Sequence, residues 1–301
     1  MDFEQIRAFL NVASLRSFSE AGEKMFISQP TISVRIKALE EELGVKLFDR
    51  SKAREPSLTE SGMIFLDYAQ AVINLYDDCK EKLSDHRESA SGLLYIGSST
   101  VPGSYLLPGL LAAFRKIAPS IDFNVNILDT TAVLEGVLNY SYDLGYVGLI
   151  KPDERLKYIS LKEDELVLCV RKGLFQSGDY REGIPLNILQ AQHLILREKG
   201  SATRRLLEKK LSESGLDLDG FDGVTCINSL EGVKQAVKAG LGVAVVSRLS
   251  VKEMVQAGFV DTYPVSGLDL SRFLYLVYHR SRVLGEAARK LRDFTIKEFT
   301  K

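Results

Sequence analysis

Long apolar runs, paired cysteines and an excess of charge are all missing from this chain of 301 residues. No apolar stretch is long enough to cross a bilayer, and the start, Met1 to Gln5, is polar and acidic where a secretion signal needs a basic and then an apolar stretch. We therefore expect a cytoplasmic protein with no membrane partner. Cysteine occurs only at Cys79, Cys169 and Cys226, without the spacing of a disulfide framework or a zinc site, so we expect inert thiols.

Motifs of the common enzyme classes are missing as well. The histidines His86, His193 and His279 are dispersed, and a lone histidine on a strand is more often a packed or surface residue than a base. The chain has no Gly-x-Ser-x-Gly elbow, no Walker-type phosphate loop and no Gly-x-Gly-x-x-Gly turn. The sequence therefore predicts no enzyme, no catalytic residue, no metal and no cofactor.

The charges that are present balance, at 39 basic and 40 acidic residues, so the net charge of −1 gives no sign of nucleic-acid binding. A local basic cluster is more informative. It contains Lys24, Arg35, Lys37, Lys46, Arg50, Lys52 and Arg54. A small basic face on a neutral protein can bind phosphates locally, although most basic stretches are only solvated surface.

Apolar residues at helical spacing predict three helices in the first 45 residues. Ser28 can cap the third helix, Pro30 fits its first turn, and Gly44 can end it in a left-handed conformation. Its apolar stripe should face the first two helices. The stripe consists of Ile32, Ile36, Leu39 and Leu43.

The opposite face of the third helix begins with short hydroxyl and amide side chains, which can approach base edges in the major groove. The predicted base-reading residues are Ser28, Gln29, Pro30, Thr31, Ser33 and Arg35. Residues 45–58 then predict a small wing, with Arg50, Lys52 and Arg54 placed to meet backbone phosphates. The spacing alone also permits an ordinary three-helix bundle with a polar outer face.

An ordered series of motifs resembles the winged helix-turn-helix of LysR-type transcriptional regulators. The motifs are Phe18–Ala21, Ile27–Ser33, Ile36–Glu40, Leu43–Arg50 and Leu58–Gly62. Gly22 stands where alanine is usual, and Ala53 stands where the wing often has a basic residue, which removes one expected phosphate contact. The stretch Leu196–Arg204 is similar to one found in members linked to sulfur metabolism.

A long helix should follow the wing, beginning at Leu58 and Thr59. Its apolar residues form a heptad seam, which on an exposed helix needs a partner. The seam consists of Phe65, Ala69, Val72, Tyr76, Cys79 and Leu83. We expect a second copy of the chain to cover it, although the chain's own C-terminal domain could do so instead. The polar segment from Ser84 to Gly92 is interpreted as a hinge.

From Leu93 onward, strand and helix patterns alternate, which predicts an α/β arrangement with mainly parallel sheets. The predicted strands are 93–98, 121–128, 143–149, 165–171, 193–197, 223–227, 242–246 and 271–279, with helices at about 104–117, 131–140, 201–214 and 229–239. The resemblance implies a two-lobed effector-binding domain similar to periplasmic binding proteins. Lobe I would comprise 92–161 and 267–301, and lobe II would comprise 162–266.

Polar residues follow several predicted strands, where open α/β sheets bind ligands. The candidate effector contacts are Ser98, Ser99, Thr100, Thr130, Gly200, Ser201, Thr203 and Asn228. Helix N-termini aimed at one crevice would favour an anion, although each set could be an ordinary helix cap; Asn228 with Glu231 has the spacing of a capping box.

The resulting prediction has an N-terminal α winged helix-turn-helix over 1–58, a linker and dimerisation helix over 59–91, and an α/β two-lobed, periplasmic-binding-protein-like domain over 92–301. The expected partners are double-stranded promoter DNA, further copies of the chain in a dimer or tetramer, a small anionic metabolite, and RNA polymerase. A solute-binding protein is the alternative for the C-terminal domain alone. A small-molecule enzyme with an accessory DNA-like module would need a reactive pair that the sequence does not offer.

Overall fold

The structure is a computed structural model that describes residues 1–49, 56–85, 92–175, 180 and 182–299. Its contacts divide the chain into two compact units. The first is Met1–Ser89 with Leu138–Ser141, and the second is Ala90–Val137 with Tyr142–Lys301. Among the helices in the described ranges, none combines the length and the apolar character that a membrane crossing requires.

The N-terminal unit is helical, with one short antiparallel pair of strands. Its elements are α1 (Phe3–Leu15), α2 (Phe18–Lys24), α3 (Gln29–Leu43), β1 (Phe48–Asp49), β2 (Ser57–Leu58) and α4 (Glu60–Asp85). Asp2 caps α1 in a reciprocal capping box with Gln5, and Ser28 caps α3 as predicted. Gly44 ends α3 with φ of 70°, in the left-handed region where a glycine carries no steric penalty.

The core of this unit is the predicted one. Ile32, Ile36 and Leu39 are fully buried on the inner face of α3, and Phe9 of α1 is fully buried against them, while Leu43 at the end of the stripe is partly exposed. Strand β1 pairs with β2 at the base of the wing. The loop that carries Arg50, Lys52 and Arg54 lies outside the described residues.

The long helix begins two residues later than predicted. Leu58 belongs to strand β2, and α4 starts at Glu60 because the Thr59 hydroxyl accepts a hydrogen bond from the Gly62 amide at 3.0 Å. Residues 86–91 of the predicted hinge lie outside the described residues.

Part of the predicted self-association seam packs inside the N-terminal unit instead. Ala69 is 1% exposed in the helical core, and the Phe65 ring meets that of Phe9 edge-on at 4.9 Å. Tyr76 stacks on Phe3 at 4.0 Å. The prediction that Phe65 and Ala69 face a partner chain is therefore corrected: these positions cover α1, because the seam starts where α4 crosses that helix. The side chain of the sixth seam residue, Leu83, lies outside the described residues.

The C-terminal unit alternates strands and helices. Its elements are β3 (Leu93–Ser99), α5 (Thr100–Tyr105), α6 (Leu107–Arg115), β4 (Asp122–Leu128), α7 (Thr130–Leu138), β5 (Leu144–Val147), β6 (Leu156–Arg171), α8 (Leu186–Gln190), β7 (His193–Leu196), α9 (Ala202–Glu213), a 3₁₀ turn (Leu218–Gly220), β8 (Gly223–Cys226), α10 (Leu230–Ala239), β9 (Ala244–Ser247), α11 (Arg248–Gln256), β10 (Val260–Tyr263), β11 (Ser271–His279) and α12 (Glu286–Phe299).

The sheets are less parallel than predicted. Strand β3 pairs in parallel with β4 and β5, and β7 pairs in parallel with β8, but β11 runs antiparallel to β5 and β6, and β6 runs antiparallel to β9 and β10. The first half of β6 pairs with β11 and its second half with β9 and β10. This long strand therefore connects two sheets, which gives the unit its two lobes.

Candidate DNA-binding surface and effector cleft

The N-terminal end of α3 presents the predicted base-reading residues to solvent. Ser28, Gln29, Pro30 and Thr31 are exposed, and Ser33 is half-buried one turn along. The Gln29 amide donates a hydrogen bond to the Ser33 hydroxyl at 2.9 Å, and the hydroxyls of Ser28 and Thr31 lie 2.8 Å apart. These local bonds connect the polar side chains along the first turn of α3.

Arg35, another predicted DNA contact, is engaged by its own chain. Its guanidinium donates to the Glu4 carboxylate at 2.9 Å, and both side chains keep solvent access. An exposed ion pair is worth at most about 1 kcal/mol, so a DNA phosphate can replace this carboxylate at little cost.

Glu40 has a structural role that was not predicted from the sequence. It is 2% exposed, and its carboxylate accepts bonds from the Leu47 amide at 2.8 Å, the Phe48 amide at 3.3 Å and Lys46 at 3.1 Å. Burial opposes ionisation of Glu40, but these bonds outweigh it and hold its pKa below 4.5. The sequence contains one indication of this burial, because Glu40 follows the buried Ile36 by four residues and so lies on the same face of α3.

The turn between α2 and α3 holds two unusual residues. Phe26 is 96% exposed and has φ of 56°, a left-handed conformation that bulky residues rarely adopt. Gly22, which departs from the family's usual alanine, lies so close to this turn that a Cβ would meet the Ile27 carbonyl oxygen at 2.8 Å. Glycine at that position therefore allows α2 to approach the turn more closely than alanine would.

The first predicted effector residues follow strand β3. The Ser98 side chain is fully buried, and its hydroxyl lies within hydrogen-bond distance of the carbonyl oxygens of Ser99 and Tyr146, at 3.1 and 3.3 Å. Ser99 begins α5, yet its side chain makes no capping bond. Ser98 is thus bonded internally, whereas the Ser99 hydroxyl does not serve the helix.

Thr130 follows strand β4 and starts α7. It is 2% exposed, and its hydroxyl oxygen has no hydrogen-bond partner among the described residues. The cap of α7 is supplied by Asp129, whose carboxylate accepts from the Ala132 amide at 3.0 Å. A buried hydroxyl without a partner costs about 1 to 3 kcal/mol, so this oxygen is suited to bonding a ligand or a water.

The lobe II candidates show the same split between capping and non-capping residues. Ser201 is 7% exposed and starts α9 without a side-chain capping bond. Asn228 is exposed, and it does not cap α10: Ser229 does, by accepting from the Gly232 amide at 3.3 Å. The predicted capping box with Glu231 is therefore wrong, because the helix starts one residue later.

Away from the hinge strands, three side-chain hydrogen bonds join the lobes within the described residues, and none of their donors was predicted from the sequence. Arg197 donates to the Thr100 hydroxyl at 3.4 Å and Arg205 to the Thr131 hydroxyl at 3.3 Å. Lys234 donates to the Tyr105 hydroxyl at 3.2 Å. Every donor is a lobe II cation and every acceptor is a lobe I hydroxyl. Gly200 belongs to the same junction, since a Cβ there would lie 3.1 Å from Cγ of Asp129.

The junction carries a small surplus of positive charge. It holds five basic side chains (Arg197, Lys199, Arg204, Arg205 and Lys234) and four carboxylates (Glu198, Glu208, Glu231 and Asp129). Arg197 is neutralised by Glu198 at 2.8 Å and Arg204 by Glu208 at 2.7 Å. Lys199 and Arg205 form no ion pair with any carboxylate in the described ranges. Burial disfavours the charged form of Lys234, but its bonds to neighbouring oxygens outweigh burial and raise its pKa above 10.5. The arrangement can therefore hold an anion between the lobes.

Two family models match the chain over nearly its whole length. One, described as "Bacterial regulatory helix-turn-helix protein, lysR family", matches residues 3–63, and the other, "LysR substrate binding domain", matches residues 87–300. The chain belongs to the LysR family. This family member is accordingly a DNA-binding transcriptional regulator with an effector-binding domain, and it is not an enzyme.

Curated relatives share this length and layout. The LysR family member is 30% identical over 299 residues to a "Probable RuBisCO transcriptional regulator" of Trichormus variabilis, covering 98% of this chain and 88% of the relative. It is 32% identical over 288 residues to a protein of the same name from Guillardia theta, covering 95% and 92% of the two chains.

Solved structures share the fold. CbnR, described as a LysR family transcriptional regulator, superposes with a TM-score of 0.71 at 19% identity over 100% of both chains. The effector binding domain of QuiR in complex with shikimate gives a TM-score of 0.62 at 18% identity, covering 70% of this chain and 98% of that one. These likenesses support the predicted fold: a winged helix-turn-helix, a linker helix and a two-lobed α/β domain.

Proposed function

We propose that this LysR family member reads promoter DNA with the N-terminal end of α3 and is controlled by a small anionic metabolite held between its two lobes. The effector contacts would be Ser99, Thr100, Thr130, Gly200, Ser201, Thr203 and Asn228, with Ser98 supporting them from beneath. The observation that carries the proposal is the buried Thr130 hydroxyl, which lacks a partner among the described residues and precedes Thr131, the residue that Arg205 of lobe II contacts at 3.3 Å.

The DNA contacts follow from exposure and chemistry. Gln29 can form two hydrogen bonds with one adenine, at the cost of its weak local bond to Ser33. Arg35 can exchange Glu4 for DNA, while Arg50, Lys52 and Arg54 would meet phosphates from the wing. A solved structure of similar fold, full-length CbnR, is described as complexed with its target DNA, with a TM-score of 0.68 at 20% identity.

A second copy of the chain would cover the outer face of α4. With Phe65 and Ala69 turned inward, the face that remains open carries apolar side chains at helical spacing. They are Ile64 (60% exposed), Tyr68 (64%), Val72 (37%) and Leu75 (49%), followed by exposed Cys79. Pairing two such helices would bury this surface and place two copies of α3 on the half-sites of a near-palindrome.

Effector control requires that the metabolite bind one lobe arrangement better than the other. An anion bonded to Thr130 and Arg205 would replace the bonds that now join the lobes directly. The lobe positions would then change the spacing of the DNA-binding units within the dimer. Tetramer formation, contact with RNA polymerase, a cytoplasmic location and the narrower link to sulfur metabolism stay predictions; the relatives compared above carry the name of RuBisCO regulators instead.

The DNA arm of the proposal is tested by binding to the DNA upstream of the protein's own gene and to random DNA across a salt series. Gln29→Ala should reduce specific affinity about 5- to 150-fold and leave affinity for random DNA nearly unchanged, because a two-bond contact to a base is worth about 1 to 3 kcal/mol. The matched control is Gln235→Ala on α10. Equal losses on both DNAs would contradict base reading by Gln29, whereas Lys52→Gln should weaken both and flatten the salt dependence.

The effector arm is tested by calorimetry with a panel of small carboxylates and sulfur and phosphorus oxyanions. Thr130→Val keeps the volume and removes the hydroxyl, and Arg205→Gln removes an unpaired charge; each should weaken the tightest ligand of the panel about 10-fold. Arg115→Gln on α6 is the matched control and should change nothing. Unchanged affinity in both cleft variants would refute the placement of the effector.

A further inference from the structure

A cavity of about 810 Å³ lies in lobe II, away from the effector candidates described above. One wall is helix α11, a second is strand β6 from Glu163 to Leu166, and a third is the chain from Leu268 to Ser271 that leads into β11. Strands β6 and β11 are the two that pass between the lobes. A molecule in this cavity would therefore contact both connections of the hinge.

The floor of the cavity is apolar and already built. Leu166, Val251, Val265 and Leu270 line it and are each at most 4% exposed. Val255, one turn further along α11, is 40% exposed at the rim. Ligand sites are typically concavities of about 300 to 1,000 Å³ lined largely by apolar side chains, and this cavity has that size and an apolar floor, with charged side chains around it.

The charges around the floor favour a cation. The lining includes four carboxylates, Glu163, Asp164, Glu165 and Asp269, against two basic side chains, Arg248 and Lys252. The lining therefore carries an excess of negative charge, and that sign attracts an amine and repels a carboxylate.

Two of the carboxylates are already neutralised. Arg248 holds Glu165 at 2.7 Å, and Arg272 behind the wall holds Asp164 at 2.8 Å. Glu163 and Asp269 remain, and among the lining residues they outnumber the one remaining cation, Lys252. Asp269 also accepts from the amide and hydroxyl of Ser271 and feels the charge of Lys210, which lies outside the lining, so Glu163 is the less engaged of the two.

We propose that this hinge cavity is a second small-molecule site, which takes an apolar molecule bearing one amino group. The apolar body would cover Leu166, Val251 and Val265, and the ammonium group would lie toward Glu163 and Asp269. Occupancy adds contacts between α11 and both hinge strands, so the ligand stiffens the connection between the lobes. The site differs from the interlobe cleft both in position and in the sign of the charge that it prefers.

The test compares three probes with the same bicyclic ring: 2-naphthylmethylamine, 2-naphthalenemethanol and 2-naphthoate. Binding to the full-length protein is followed by calorimetry and by saturation-transfer NMR. The amine should bind more tightly than the alcohol, and the alcohol more tightly than the carboxylate. Val255→Trp fills the rim and should weaken the amine at least about 10-fold. Val283→Trp, the same exchange at a site 83% exposed outside the cavity, should not.

Glu163→Gln supplies a second variant at an exposed position, where folding is not at risk. It should reduce the preference for the amine over the alcohol without weakening the alcohol itself. Three results would overturn the proposal: no binding of any probe, affinity for the amine that Val255→Trp leaves unchanged, or tightest binding of the carboxylate. Loss of carboxylate binding in Thr130→Val would concern the effector cleft and would not bear on the hinge cavity. The two proposals can therefore be refuted independently.

Discussion

The ion pair between Asp164 and Arg272 allows a sharp test of how the lobes are connected. Asp164 lies on β6 and Arg272 on β11, and their side chains are 0% and 8% exposed. Arg272 reaches the same carboxylate oxygen through Nε at 2.9 Å and Nη2 at 2.8 Å, and the Ser247 hydroxyl donates to the other oxygen. The carboxylate is therefore fully bonded, and the pair is a property of the hinge interior.

Removing one partner leaves the other charge buried and unpaired. Asp164→Ala and Asp164→Leu should each cost about 3 to 5 kcal/mol, and Arg272→Met a similar amount, because neither charge can reach water at that depth. The double variant Asp164→Leu with Arg272→Met should lie within about 2 kcal/mol of the natural protein, since an apolar pair of similar volume often replaces a buried ion pair without loss. The two substitutions are thus expected to be strongly non-additive.

The assay is urea denaturation followed by circular dichroism, with hydrogen exchange of the β6 amides identifying the transition of the C-terminal unit. The neighbouring pair Glu165–Arg248 is the matched control, because its side chains are 50% and 48% exposed. Its removal should cost at most about 1 kcal/mol. A cost of Asp164→Ala no larger than that of Glu165→Ala, or single costs that simply add in the double variant, would refute the reasoning.

Three further predictions concern the N-terminal unit. The pKa of Glu40 is lower in the folded protein than its ordinary value of 4.5, so its contribution to stability is fully present above pH 4.5 and is lost as the pH falls through the folded-state pKa. Glu40→Gln should therefore flatten the dependence of the urea midpoint on acid pH. Gly62→Ala would place a Cβ 2.1 Å from the Leu47 carbonyl oxygen. Gly62→Ala should lower the free energy of unfolding by about 2 kcal/mol or more, measured by thermal unfolding. Gly44→Ala is the comparison and should cost about 1 kcal/mol, because its Cβ meets no atom within 4 Å and the only strain comes from the φ of 70°. Phe26→Asn should leave stability unchanged or raise it by up to about 1 kcal/mol, because the ring buries almost nothing and asparagine tolerates its φ of 56° better; a loss measured by calorimetry would assign the ring a packing role.

Local patterns were enough to predict the elements whose burial follows a single period. The stripe of Ile32, Ile36 and Leu39 repeats every three to four residues, and the structure buries all three. The first half of β6 was missed for the opposite reason: exposed and buried residues do not alternate between Leu156 and Asp164, because this stretch crosses from one lobe to the other. The edge strand β10 and the helices α8, α11 and α12 were missed as well.

The candidate site was predictable only as far as chain neighbours define it. Ser99, Thr130 and Ser201 follow strands and could be identified from that position. The contact of Arg197 with Thr100 joins residues 97 apart in the chain, which no local pattern can reveal. Whether a hydroxyl caps its own helix is also a three-dimensional property: Asp129 takes over the cap of α7 and so leaves Thr130 without that role.

The character of the bonds between the lobes determines how little energy is needed to rearrange them. A well-made hydrogen bond from a charged group contributes about 1.5 to 3 kcal/mol, but these three are long, at 3.2 to 3.4 Å, and two of them are exposed to solvent. At about 0.5 to 1.5 kcal/mol each, they favour the joined arrangement by only a few kcal/mol. A metabolite that prefers one arrangement about 1,000-fold supplies about 4 kcal/mol, enough to invert such a population. Breaking a buried ion pair such as Asp164–Arg272 at the hinge costs about 3 to 5 kcal/mol, whereas the three bonds across the cleft are balanced within the range of an ordinary binding event.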